Sequence, residues 1–226
     1  IVPGHMNLDK IADAVKAGER LKGLTFAAAY CSDTTRAQQT AEKILDINEA
    51  AGNPRPALVT DMHFREQFYG YYEGLDMAMA WYAAGAPHGV KTYNQIVEKF
   101  GLGASRDFLK EADPFHDAES DEEYWTRVEG AFRLIADNPN LKDGDDVLQI
   151  SHGNTLLSLG HRFGGGGVFS PCGGVPGGGV LRRWPAVRAP VRPRRCPGLH
   201  PRFQLRRPVH GRAVFVEARR QGPGDL

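Results

Sequence analysis

Three short stretches hold residue types that could do chemistry together: CSDTTRAQQTA (31–41), FREQFYGYYEG (64–74) and ISHGNT (150–155). Arg36 falls three residues after Asp33, in the first turn of a predicted helix. A guanidinium beside free helix N–H groups and the positive end of the helix dipole makes an anion site. A surface arginine in a capped helix fits the same pattern. His152 follows the apolar run VLQIS and precedes a glycine that lets a ligand come close. An imidazole there can bind or protonate a phosphoryl oxygen, or it can be a hydrogen-bonded core histidine. Glu66 lies among aromatics. Desolvation there would raise a carboxyl pKa and suit it to general-acid work. An exposed glutamate paired with Arg65 is the plain alternative, and Glu73 has the same ambiguity. Gly70 and Gly74 predict a tight loop around this cluster.

The elements that must position these groups follow from hydrophobic period. DKIADAVKAGERL (9–21) predicts a helix with Ile11, Ala14, Val15 and Leu21 on its inner face. LTFAAAYCS (24–32) is short and apolar and predicts a buried strand. Asp33 is the expected N-cap of a second helix, with Ala37, Thr40, Ala41, Ile44 and Leu45 facing inward. EAAGNPRP (49–56) predicts a loop and ALVT (57–60) a short strand. Residues 75–118 read as a surface lid containing one amphipathic helix, TYNQIVEKF. Ser120 and Glu123 form a capping box before a helix whose stripe is Tyr124, Val128, Phe132 and Ile135. VLQIS is a second buried strand, and NTLLSLGHRF is helical again. Helix and strand alternate, which argues for an α/β fold: a three-layer, open, mostly parallel sheet with helices on both faces. Ligands on such sheets bind beyond the carboxyl ends of the strands, where SDTTR and SHGNT both fall.

Composition sets wider bounds. The 226 residues are enough for one α/β domain, and 41% hydrophobic with 24% charged residues is ordinary for a globular chain. No apolar run reaches the roughly 18 residues of a membrane span, and no signal leader is recognised. The three cysteines form no metal spacing; with no disulfide framework, a reducing, cytoplasmic setting is expected. Residues 1–163 carry 16 basic against 25 acidic side chains, a balance of −9; residues 164–226 carry 12 arginines against 2 acids, a balance of +10. The same tail holds 13 of the 27 glycines and 9 of the 15 prolines, so the chain divides near residue 163.

Taken together, the polar stretches resemble the histidine phosphatase superfamily, the phosphoglycerate mutase-like enzymes. CSDTTRAQQTA resembles its S-D-x-x-R-A-x-Q-T-A segment and FREQFYGYYEG its L-R-E-x-x-F-G-x-x-E-G segment. ISHGNT resembles its second histidine motif, and AESDEEYWTRV (118–128) the acidic-Ser…Arg-Val segment before it. The likeness covers about residues 9–163 and implies phosphoryl transfer through a phosphohistidine on a small phosphorylated metabolite. By this resemblance Arg36 and His152 hold the phosphoryl oxygens and Glu66 protonates the leaving oxygen. His152 and Glu66 are then the catalytic pair. No metal or cofactor is implied. REQFYGYYEGLDM looks more like the phosphatase branch than the glycolytic mutases.

Two departures matter. The family's nucleophile sits in an Arg-His-Gly motif at the end of its first strand. Here IVPGHMNL precedes the first helix, so that motif and its strand are expected to be missing, with His5 a possible stand-in nucleophile. After His161-Arg162-Phe163 the Gly/Pro/Arg-rich tail is expected to be disordered or the product of a frameshift. Two rival functions follow: a non-catalytic phosphate-binding protein, and a nucleic-acid binder working through the basic tail. Sparse aromatics and the lack of helical spacing among the arginines disfavour nucleic acid. No membrane partner is expected, and the sequence does not fix an oligomeric state.

Overall fold

Short apolar runs and amphipathic stretches alternate along the chain, and the computed structural model turns them into strands and helices; it describes residues 8–142, 144–163, 169–171, 178–181 and 212–217. The described elements run α1 (Leu8–Leu21), β1 (Phe26–Cys31), α2 (Thr35–Ala50), β2 (Leu58–Thr60), α3 (Met77–Gly85), α4 (Tyr93–Phe100), α5 (Leu102–Ala112), α6 (Asp121–Ala136), β3 (Asp146–Ser151), α7 (Gly153–Phe163), β4 (Phe169–Pro171), β5 (Gly178–Leu181) and β6 (Arg212–Glu217). They fall into two compact units, one of residues 1–64 and 131–219 and one built on 65–130.

The first unit is an open sheet in the order β2-β1-β3-β6-β5-β4. β2, β1, β3 and β6 are parallel, and β5 and β4 add antiparallel pairs at one edge. Side chains alternate across a strand, so β1 feeds two cores. Phe26, Ala29 and Cys31 join Leu148, Ile150 and the inner faces of α1 and α2. Ala28 and Tyr30 join Val147, Phe64, Ala131 and Ile135. The result is the expected three-layer α/β architecture, with helices on both faces of a mostly parallel sheet.

The α2 face is as expected, with Ala37, Thr40, Ala41, Ile44 and Leu45 buried, and Asn48 as well. The α1 face is a correction. Ala14, Ala17 and Leu21 are buried, while Ile11 and Val15 are each 36% exposed. A Cβ added at Gly18 would lie 2.7 Å from Ile47 Cδ1 and 3.4 Å from the Ile44 Cα. Close approach of α1 to α2 through small residues thus decides the packing, ahead of the larger aliphatic side chains. A second correction concerns the α2 cap. The N-cap is Thr34, not Asp33, and its hydroxyl makes no cap bond. Instead the Asp33 carbonyl accepts a bond from Gln38 Nε2 at 3.0 Å. The helix also continues to Ala50, so the loop expected from residue 49 begins later.

The second unit is helical. Residues 75–118 form three helices rather than the one expected. Asp76 caps α3 by accepting from the Ala78 N–H, and Thr92 caps α4 by accepting from the Gln95 N–H. Tyr69, Tyr72, Ala80, Ala84, Val90, Ile96, Leu109 and Ala118 form its core. Arg106, 2% exposed, is held by Asp121 at 2.7 Å and stacks on the Tyr124 ring with its guanidinium carbon 3.8 Å from the centroid. The capping box forms as predicted: the Ser120 N–H donates to Glu123 Oε2 at 2.8 Å and the Glu123 N–H to Ser120 Oγ at 3.2 Å. In the helix stripe Ala131 is buried with Tyr124, Val128 and Ile135, and Phe132 is only half-buried.

Of the tail, three strands are described; its reading as disordered or frameshifted, and that of His5, otherwise lie outside the described residues. No described helix is long and apolar enough to cross a membrane.

Candidate functional site

β1 and β3 pair in register from Ala29↔Leu148 to Cys31↔Ile150, so their carboxyl ends finish side by side. The next residues, Ser32 and His152, are buried at that edge, 0% and 1% exposed. Ser32 Oγ lies 2.8 Å from His152 Nε2. Arg36, in the first turn of α2, places a terminal guanidinium nitrogen 3.2 Å from His152 Nδ1. Both ring nitrogens are therefore engaged, each by a residue of the segment that follows β1. Ser32 Oγ also lies 2.9 Å from Thr34 Oγ1. Two residues chosen from sequence 116 positions apart, Arg36 and His152, meet at the strand ends where an α/β sheet binds ligands.

Cys31, at the end of β1, is a free buried thiol. Burial pushes its pKa up to about 12, with Glu42 and Asp33 adding to the shift. It stays protonated near neutral pH and offers no thiolate nucleophile. Among the described residues no group of three or more His, Cys, Asp or Glu side chains could hold a metal ion.

Glu66 belongs to the second unit, and its backbone is held from several sides within that unit. Arg127 donates to the Arg65 carbonyl at 2.9 Å and to the Glu66 carbonyl at 3.2 Å. The same guanidinium grips Glu119 at 2.6 and 2.8 Å. Glu119 in turn accepts from the Phe68 N–H at 3.0 Å, and its own N–H donates to the Phe68 carbonyl at 3.0 Å. The Glu66 carboxylate accepts from the Gln67 N–H at 3.1 Å. Glu73 accepts from the Tyr69 N–H at 3.1 Å, which closes the loop on itself.

The turn beyond is pinned by Asp113, which is fully buried. Its carboxylate accepts from the N–H groups of Tyr71, Phe115, Asp117 and Ala118 at 2.8–3.2 Å. Burial alone would push this carboxyl up, but the four N–H donors hold it below the usual carboxylate range. Gly70 is required here: its φ is +58°, and an added Cβ would sit 1.9 Å from Asp113 Oδ2.

Sequence reasoning assigned no role to Ser32, Thr34, Asp113, Glu119 or Arg127. Four of these lie inside the motif-bearing stretches, so their positions were signalled and their partners were not. Asp113 precedes Pro114 and reads from sequence as a turn residue.

Residues 6–168 match the family model described as "Histidine phosphatase superfamily (branch 1)". The chain is 29% identical over 148 residues to the 2,3-bisphosphoglycerate-dependent phosphoglycerate mutase 2 of Gloeobacter violaceus, covering 66% of this chain and 59% of that protein. It is 30% identical over 153 residues to the 2,3-bisphosphoglycerate-dependent phosphoglycerate mutase of a Bradyrhizobium species, covering 66% and 64%. The matches therefore span about three fifths of these relatives' length. Among solved structures, the phosphoglycerate mutase from Bacillus anthracis aligns with a TM-score of 0.62 at 28% identity, covering 69% of this chain and 67% of that one. With the family model matched over well over half of its length, the chain belongs to the histidine phosphatase superfamily, branch 1.

Proposed function

We propose that this chain binds the phosphoryl group of a small phosphorylated metabolite on Arg36 and His152 and serves phosphoryl transfer through a phosphohistidine. The observation that carries the reading is the 3.2 Å approach of the Arg36 guanidinium to His152 at the carboxyl edge of the sheet. Phosphoryl transfer needs positioned cationic and hydrogen-bonding groups more than it needs reactive side chains, and family membership supports the same chemistry. In this reading an N–P bond forms as the ester P–O bond breaks and Glu66 gives its proton to the leaving oxygen; water then attacks phosphorus, the N–P bond breaks, phosphate leaves and the water's proton returns to Glu66. By the resemblance the histidine nucleophile belongs to an Arg-His-Gly motif, for which His5 is a stand-in to be tested. Phosphatase action is the preferred direction, from the likeness of REQFYGYYEGLDM to that branch. Because the relatives' names specify phosphoglycerate, it is the first substrate to try.

A second reading is phosphate binding without turnover, with Arg36 and His152 holding the anion where they meet. Mixing the protein with 3-phosphoglycerate and a chromogenic phosphomonoester separates the two. Release of phosphate that is lost in Glu66→Gln and His152→Gln supports the enzyme. Binding that saturates without phosphate release supports the second reading. Absence of both sinks the phosphoryl site.

A further inference from the structure

The two ring nitrogens of His152 are not equivalent, and their partners determine which one carries the proton. A guanidinium has donors only. Where Arg36 meets Nδ1 at 3.2 Å, Nδ1 is therefore the acceptor. A neutral imidazole with an accepting Nδ1 carries its proton on Nε2. Nε2 lies 2.8 Å from Ser32 Oγ, so the ring donates and the serine oxygen accepts. The Ser32 hydroxyl hydrogen is then free to point at Thr34 Oγ1, 2.9 Å away. All members of this chain are consistent with one direction: Arg36 to His152, His152 to Ser32, Ser32 to Thr34.

We propose that Ser32 is a positioning residue that, oriented by Thr34, holds His152 as its Nε2–H tautomer and turns the Nδ1 edge toward Arg36. The consequence deepens the phosphoryl-site reading and rests on it: an anion drawn to the guanidinium takes Arg36 from Nδ1, Nδ1 takes up a proton, and the resulting imidazolium donates from Nδ1–H to the anion while its Nε2–H remains on the serine. Ser32 is suited to the task by its burial. At 0% exposure it has no water to compete for its hydroxyl, so its bond persists and the ring cannot turn at little cost.

The test is nitrogen-15 NMR of the histidine-labelled protein, with the His152 resonances identified by their loss in His152→Gln. In the wild type, Nδ1 should resonate as an unprotonated nitrogen and Nε2 as a protonated one. Ser32→Ala should shift both nitrogens toward a tautomer mixture and weaken binding of inorganic phosphate by about 2- to 10-fold, the worth of one hydrogen bond. Ser32→Thr, which keeps the hydroxyl, should restore the wild-type pattern. A wild-type ring protonated on Nδ1, or spectra unchanged by Ser32→Ala, would overturn the inference. The wild-type spectrum decides even if Ser32→Ala folds poorly. Should the tautomer be as assigned while phosphate fails to bind, the positioning role stands and the phosphoryl reading falls.

Discussion

The two units hold their functional segments by different means. In the sheet unit, Arg36, His152, Ser32 and Thr34 meet through side-chain bonds. In the helical unit, the loop bearing Glu66 is held through its backbone: Arg127 takes two carbonyls, Glu119 an N–H and Asp113 four N–H groups. The contrast teaches where function and stability can be separated. Side chains gathered at the end of a finished sheet can be changed without unmaking the strands beneath them. A loop whose shape depends on buried carboxylates loses its shape and its residue placement together.

Gly70→Val should break the comparison hardest. The new side chain meets the Asp113 carboxylate and adopts a left-handed backbone, for a cost of about 3 kcal/mol. Hydrogen exchange should show protection lost across 65–130, with β1 and β3 still protected. Equal loss in both units would contradict the separation.

Gly18→Val tests the other side. Crowding Ile47 and the α2 backbone should destabilise the sheet unit by about 1–3 kcal/mol in urea unfolding. Phosphate affinity of the folded fraction should stay unchanged, because Gly18 faces Ile44 and Ile47, two turns or more along α2 from Arg36 in its first turn.

The helical loop should also carry a pH signature. The folded pKa of Asp113 is depressed by its N–H donors. Its stabilisation is therefore present above the ordinary aspartate value of about 3.9 and is lost as pH falls through the lower folded value. Thermal unfolding followed from pH 6 downward should show this acid loss in the wild type and a smaller one in Asp113→Asn.

Much of the sheet unit was legible in the sequence. FAAAYC and VLQIS are short apolar runs of strand length, and both polar clusters follow them directly. The α1 face was misread because Ile11 and Val15 outweigh alanine on any hydrophobic scale, whereas Gly18 sets how closely two helices approach. The helical unit was less legible for a different reason. MAMAWYAAG is apolar on nearly every side and shows no stripe, and α5 hides its inner face behind Arg106, a charge buried by pairing with Asp121 and stacking on Tyr124. Arg36 and His152 were legible through the resemblance of CSDTTRAQQTA and ISHGNT to family segments, since each residue alone also fits a surface arginine or a core histidine. Ser32 and Asp113 were not, since a serine after a strand and an aspartate before a proline occur in many loops without such partners.

The central claim is that Arg36 and His152 form a site for a phosphoryl group, and calorimetric titration of inorganic phosphate into the wild type and into Arg36→Ala tests it most directly. Saturable binding by the wild type, lost or weakened at least about tenfold in Arg36→Ala as expected for removing a charged hydrogen-bond donor, is the predicted result. Absence of binding by the wild type, or equal binding by both proteins, would contradict it.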